Sequence, residues 1–325
     1  MRVLIVLFLT ACLCAVGAAY AWLHLPLKVP ASVVDVSIEP GSSARQVASA
    51  VQQAGVEVPP ASLYWMFRLS GNARNIKAGS YEVDGATTPL TLLSKLVQGD
   101  EALRRVTLVE GWTFQQVRSA LQKAEHLKPK TQGLTDDALM LMLGRPQMLA
   151  EGRFFPDTYI YSKGSSDVAV LQRAMHAMDK QLEQAWAQRA ADSPLTTPEQ
   201  ALILASIIEK ETGRTSDQPQ IAAVFSNRLR MGMRLQTDPT VIYGLGAAFD
   251  GNLRRADLLA DTPYNTYTRS GLPPGPISTP GKAALWAAVR PADSRALYFV
   301  ARGDGSSQFS DTLDAHNRAV NKYQR

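Results

Sequence analysis

Cysteine is nearly absent from this chain, with two in 325 residues. Cys12 and Cys14 both fall inside one apolar run near the N-terminus. The remainder therefore has no disulfides and no cysteine-ligated zinc. Histidine is scarce too, at four residues, none at metal-ligand spacing. There is no glycine-rich phosphate loop and no G-x-S-x-G elbow. Basic side chains (34) outnumber acidic ones (29) only slightly, for a net charge of +5, so the dense basic stripe of a nucleic-acid binder is missing. A single long hydrophobic run excludes a multi-span transporter, and the absence of a G-X-Y period excludes collagen. What remains, 46% hydrophobic and 19% charged, is a globular composition with length for roughly two domains.

The one long run, Val3 to Leu23, contains no charged residue and matches the roughly 20 apolar positions a bilayer-crossing helix needs. Arg2 precedes it, and Trp22, His24 and Lys28 follow, which favours a cytoplasmic N-terminus and an exported remainder. Three readings fit. A retained anchor over residues 1–24 uses the full length and places Trp22 at the interface. A cleaved signal peptide would use Ala19-Tyr20-Ala21. A lipoprotein would use Leu9-Thr10-Ala11-Cys12, although its h-region is short and the residues after Cys12 stay apolar. Each reading exports the chain. The anchor is the expectation adopted, giving a single-pass membrane protein with its remainder on the exported side.

Beyond it, a strand–turn–helix cadence occurs three times, at Val36–Val51, Tyr81–Leu96 and Val106–Leu121. Each copy has a short alternating segment, an acidic residue near a glycine (Gly41, Gly85, Gly111), Ser or Thr, then an amphipathic stretch. Val47 and Val51, Leu92 and Leu96, and Val117 and Leu121 share helical faces by their spacing of four. Ser42 or Ser43, Thr87 or Thr88, and Thr113 are the expected N-caps. Over residues 35–105 the cadence resembles a LysM module, which packs two helices on a small antiparallel sheet and binds N-acetylglucosamine polymers. A generic α+β repeat would read the same way. Trp65 and Trp112 are the residues suited to stacking on sugars, but Trp65, within LYWMFRL, reads as part of a helix core.

Residues 122–147 read as loops and short helices. In EGRFFPDTYIY, Glu151 to Tyr161, the aromatics before Pro156 form an extended segment, either a wall of a sugar cleft with Glu151 and Asp157 or a hydrophobic plug. Residues 167–191 form an amphipathic helix with His176 solvated. At Thr197-Pro198-Glu199-Gln200 an N-cap, a helix-opening proline and a capping-box glutamine coincide. The helix that follows, ALILASIIEKET, is apolar until its C-terminal end and is expected to stop at Gly213. Glu209 and Glu211 stand there about 200° apart around the axis. Glu211 lies on the face of Leu204 and Ile208, while Glu209 is expected in a structural ion pair. A carboxylate at the edge of an apolar surface has its pKa raised by desolvation, which suits a general acid. Asp238-Pro239 and Thr279-Pro280 open two further short helices, and Asp238 reads as a cap. Gln236, Thr237, Asn265 and Tyr267 offer uncharged donors, acceptors and an aromatic face. RGDG at 302–305 reads as a hairpin turn, and His316 as structural.

The motifs ASIIEKET, VFSNRLRMGMRLQTDPTVIYG, YNTYTRSGLPPGPISTPG and LYFVA, with EGRFFPDTY upstream, resemble the bacterial endolytic murein transglycosylases of the MltG (YceG-like) type. The resemblance covers almost all of the exported region. It implies an α+β chain: an anchor at 1–24, a LysM-like module at 35–105 and a catalytic domain at 106–325, whose core (197–325) carries the acid on a lysozyme-like central helix. It implies cleavage of the β-1,4 bond between N-acetylmuramic acid and N-acetylglucosamine, leaving 1,6-anhydro ends and terminating strand growth. Glu211 maps to the catalytic glutamate, and Gln236, Thr237, Asn265 and Tyr267 map to cleft positions. Because the muramic 6-hydroxyl is the nucleophile, no partner carboxylate is required of Asp157, Asp238 or Asp257. No metal or organic cofactor is implied. The implied partners are peptidoglycan glycan strands and the penicillin-binding protein synthases, with no role for nucleic acid.

Overall fold

The computed structural model describes residues 2–324 and is an α+β protein that divides into two compact units. One comprises Met1–Arg105, Glu125–Lys128 and Ile160–Ser165. Its first helix, α1 (Arg2–His24), is long and apolar enough to cross a membrane, a description that a signal sequence also meets. After it come β1 (Val33–Ile38), α2 (Ala44–Gln53), α3 (Pro60–Leu69), β2 (Gly79–Asp84) and α4 (Pro89–Gln98). β1 and β2 pair antiparallel, from Val33 opposite Asp84 to Ile38 opposite Gly79. Val36, Val47, Val51, Leu63, Phe67, Tyr81, Val83, Leu92 and Leu96 form the core between sheet and helices. Trp65 departs from the expected helix core. The buried positions of α3 are Leu63, Met66 and Phe67, which leaves Trp65 on the outer face, 58% exposed.

β3 (Leu103–Thr107) pairs with β4 (Thr158–Ser162), where Tyr159 and Tyr161 alternate inward. The other unit comprises Val106–Ala124, Pro129–Tyr159 and Ser166–Arg325. It contains α5 (Phe114–Lys123), α6 (Asp136–Met142), α7 (Asp167–Ala187), α8 (Pro198–Glu211), α9 (Gln218–Arg230), α10 (Asp238–Leu245), α11 (Arg255–Leu259), α12 (Lys282–Val289), β5 (Tyr298–Ala301), β6 (Ser307–Ser310) and α13 (Leu313–Tyr323). The three cadences become α2, α4 and α5, each closed by a reciprocal capping box at Ser43, Thr88 and Thr113. Gly41 and Gly111 turn with φ of +80° and +75°. Gly85 does not, because the second copy has one more residue in its turn.

α8 is the centre of its unit. Every residue from Ala201 to Ile208 is buried, against α7, α9, α10 and α12. Each Leu or Ile enclosed there stabilises by about 1.5–3 kcal/mol relative to an exposed position. The local boundaries differ from expectation in four places. Thr197 caps α8 through the Gln200 amide, but the Gln200 side chain accepts from Thr196 instead, so only half of the capping box forms. α8 ends at Glu211 because Thr212 is extended, with φ −147° and ψ 136°, one residue before Gly213. α7 stops at Ala187, short of residue 191. α12 is capped by Gly281, two residues after Thr279. The RGDG segment does form the turn of a hairpin, with Ala301 paired to Ser307.

Candidate active site

The C-terminal end of α8 opens on a cavity of about 610 Å³ lined by Glu211, Arg228, Gln236, Asp238, Tyr267, Tyr298 and His316, among others. Glu211 reaches it at the end of the buried helix. Desolvation, reinforced by the negative charge of Asp238, pushes the Glu211 carboxyl up to about 7. Opposing this, the Thr237 hydroxyl donates a hydrogen bond to the carboxylate, and Arg228 adds a weaker attraction. Burial wins over both, so the group holds a proton in half or more of molecules up to about neutral pH. A proton donor at neutral pH is what an acid catalyst requires.

Glu209, two residues earlier, points elsewhere. Its carboxylate accepts the Gly281 backbone N–H at 3.0 Å, at the start of α12. The expected ion pair is absent among the described residues, and a helix-terminal amide takes its place.

Two of the four proposed cleft residues line the cavity. Gln236 is exposed there in a left-handed backbone conformation, φ +50°, an uncommon geometry for a residue with a side chain. Tyr267 donates its phenol proton to Asp238 at 2.5 Å. The other two do not line it. Thr237 is 2% exposed, and its hydroxyl donates to the Glu211 carboxylate, so it orients that group. Asn265 is equally buried. Its amide donates to the carbonyls of Asp257, Leu258 and Ala260 at 3.2, 3.1 and 2.6 Å, closing the C-terminal end of α11. Asp238 is not a cap: Thr237 occupies the N-cap position of α10 without a side-chain bond, and Asp238 faces the cavity. His176 is exposed on α7.

Glu151 lies in a second cavity of about 810 Å³ with Phe114, Tyr243, Tyr264 and Ile277. Burial pushes its carboxyl up to about 7. Its two oxygens accept the Phe114 N–H at 2.9 and 3.1 Å, tying down the first turn of α5. Phe154 stacks on Phe114 at 4.9 Å and is buried, so the aromatic segment acts as a plug.

Sequence reasoning overlooked Arg228 and Tyr298 and treated His316 as structural, yet all three line the Glu211 cavity. A signal for Arg228 was available. It follows Ile221, Val224 and Phe225 along the buried face of α9, where a cation is out of place unless it has a task.

Over residues 36–322 the sequence matches the YceG-like family. The chain belongs to that family. A Bacillus subtilis protein named endolytic murein transglycosylase is 29% identical over 90% of this chain and 85% of its own length. A Streptococcus pneumoniae protein of the same name is 27% identical over 88% of this chain and 58% of its own. The crystal structure of a YceG-like protein from Listeria monocytogenes superposes with a TM-score of 0.55 at 28% identity, covering 88% of this chain and 98% of that one. As a YceG-like chain, this protein has Glu211 within the matched span, as it does Gln236, Tyr267, Arg228 and His316.

Proposed function

We propose that this YceG-like protein is an endolytic peptidoglycan lytic transglycosylase, cutting the β-1,4 bond between N-acetylmuramic acid and N-acetylglucosamine within nascent strands and so ending their growth. The observation that carries this reading is the Glu211 carboxyl, raised to about 7 at the tip of a buried helix and opening on a cavity of about 610 Å³. The names of its relatives support it. Glu211 protonates the glycosidic oxygen as the bond to C1 breaks. The resulting carboxylate then takes the proton of the muramic 6-hydroxyl while that oxygen bonds to C1. The acid is regenerated and a 1,6-anhydro ring closes, so no water is consumed. α1 serves as the anchor, with the catalytic region (106–325, core 197–325) on the periplasmic face and the acid on a lysozyme-like central helix. The strand–helix–helix–strand order of residues 33–84 supports a LysM-like module at 35–105 that holds the glycan. Partners in this setting are the glycan-polymerising penicillin-binding proteins.

A second reading is favoured by Asp238, a second carboxylate in the same cavity: a muramidase in which Asp238 activates water. Mass spectrometry of digested glycan strands separates the two. Anhydro ends support transglycosylation, reducing ends support hydrolysis, and intact strands leave only a glycan-binding adaptor. Glu211→Gln is expected to fold and release no product. Glu209→Gln keeps substantial activity, because its amide oxygen still accepts the Gly281 N–H. The reverse pattern overturns the assignment.

A further inference from the structure

Arg228 is a buried cation on the wall of the Glu211 cavity. Its residue is 8% exposed, and among the described residues it forms no ion pair. Backbone carbonyls hold it instead: Nε donates to Leu297 at 2.7 Å, and Nη1 to Leu235 at 2.6 Å and Arg234 at 3.5 Å. Those bonds fix the guanidinium plane. They leave Nη2 as the nitrogen without a protein acceptor among the described residues, in a side chain that lines the Glu211 cavity. Burying an unpaired charge is costly, and the cost is recovered when a ligand oxygen meets that nitrogen.

His316 stands beside it. Its ring stacks on Tyr298 with centroids 5.2 Å apart and planes inclined by 24°, and the Arg228 guanidinium carbon lies 5.3 Å from the centroid of the same Tyr298 ring. The imidazole Nδ1 is sealed from water and has no hydrogen-bond partner among the described residues. With Nδ1 sealed, Nε2 is the ring nitrogen left to meet a ligand, and the tautomer protonated there offers it as a donor. One tyrosine thus gathers two hydrogen-bond donors, one of them charged, in the cavity that holds the acid. Among the described residues no acidic group is paired with either, so the pair suits an acceptor oxygen of a ligand, best an anionic or strongly polarised one.

We propose that Arg228 and His316, gathered on Tyr298, bind the acyl oxygen of the 3-O-lactyl substituent that distinguishes N-acetylmuramic acid from N-acetylglucosamine. This rests on the transglycosylase reading above and adds how the cavity tells the two alternating sugars apart. Placing the lactyl group here sets the muramic ring, with its C1 and 6-hydroxyl, in the cavity of Glu211. The same chemistry comes from a free lactyl carboxylate or from the lactyl carbonyl of a peptide-bearing strand. Arg228 and His316 are specificity residues, and neither transfers a proton.

The test is calorimetric titration of the full chain in detergent, with Glu211→Gln introduced so that ligands are bound and not turned over. Four oligosaccharides of equal length serve as probes. One is the peptide-free muramyl–glucosaminyl strand, and two others are that strand with its lactyl carboxyl amidated or reduced to the alcohol. The fourth is an N-acetylglucosamine oligomer. The free-acid strand is expected to bind about tenfold or more tighter than the N-acetylglucosamine oligomer, the worth of one charge-assisted hydrogen bond. The reduced strand loses that preference. Arg228→Lys keeps the charge but loses the planar fork, and it brings the preference close to one while leaving affinity for the N-acetylglucosamine oligomer unchanged. His316→Gln, which touches none of the carbonyls Arg228 holds, lowers the preference as well and stands in should Arg228→Lys fail to fold. Tight binding of the amidated strand identifies the carbonyl as sufficient, and loss of it identifies the carboxylate; both agree with the proposal. A preference that survives both substitutions overturns it and leaves the transglycosylase reading intact, as does a parallel loss for all four ligands. If no probe binds the parent chain, the transglycosylase reading falls and the proposal falls with it.

Discussion

The Thr237 hydroxyl donates its hydrogen bond to Glu211, on the carboxylate that would do the chemistry. The threonine is buried and comes from the turn into α10, while Glu211 ends α8. This bond favours the ionised form and opposes the desolvation that raises the acid. Thr237→Val, which keeps the shape and removes the donor, is expected to lower kcat by about tenfold through lost positioning, a change of about 1.4 kcal/mol in the barrier. KM stays near the parent value. The descending limb of the pH profile moves to higher pH, because the carboxylate has lost a stabilising partner. Thr237→Ser restores both. A variant that raises KM and leaves the pH limb in place would show Thr237 contacting substrate instead.

Raising the Glu211 carboxyl from its ordinary value to about 7 couples folding to pH. The folded state holds this proton more tightly than the unfolded state. Its contribution is therefore complete below about 4.5 and lost as the pH climbs through 7. Glu211→Gln removes the dependence at this site. The variant should melt at a higher temperature than the parent at pH 8, by an amount corresponding to at most about 3 kcal/mol, and the gap should close toward pH 5. Thermal melts of both proteins at the two pH values check this, and a gap constant with pH would contradict the buried-acid description.

Much of the architecture is legible from short-range pattern. The caps are legible at Thr113 and to within one residue at Ser43 and Thr88, because the cap, the glycine turn and the apolar spacing of four reinforce one another locally, and α8 is read as buried because it has no polar face. The site is only partly legible. Glu211, Gln236 and Tyr267 meet in one cavity, but Thr237 and Asn265 use side chains of the same sugar-binding types to satisfy the protein's own carboxylate and carbonyls. Composition does not distinguish a donor aimed at a ligand from one aimed at the backbone. Arg228 shows itself only as a cation on the buried face of α9, while Tyr298 is joined to the site by β5, distant in sequence from Glu211, and no local pattern brings it there. Trp65 fails for a related reason, since an apolar stretch such as LYWMFRL does not say which aromatic faces outward.

Asn265 illustrates the difference in energetic terms. Three carbonyls near the end of α11 depend on its one amide group. Asn265→Ala is expected to destabilise the protein by about 1–3 kcal/mol, the cost of leaving buried polar groups unmet, with KM unchanged in the surviving folded fraction. Urea unfolding and Michaelis constants measured on the same preparation separate the two effects. A raised KM with unaltered stability would return Asn265 to the list of glycan contacts.

Ser206 shows how the segment from Pro273 to Gly281 is held along α8. Its hydroxyl donates to Ile203 O at 2.7 Å and accepts the Ile277 N–H at 3.0 Å, and its own carbonyl accepts the Ser278 hydroxyl at 3.0 Å. All of these groups are buried. The segment continues through Thr279, whose N–H donates to Trp112 O at 2.7 Å, to Gly281, which binds Glu209. Ser206→Ala strands the Ile277 N–H in an apolar interior and is expected to cost about 1–3 kcal/mol. The loss is local first. In hydrogen exchange the Ile277 amide should lose its protection in the variant, while amides in the middle of α7 keep theirs. Uniform acceleration across the unit would mean that Ser206 supports global stability and not this particular strap.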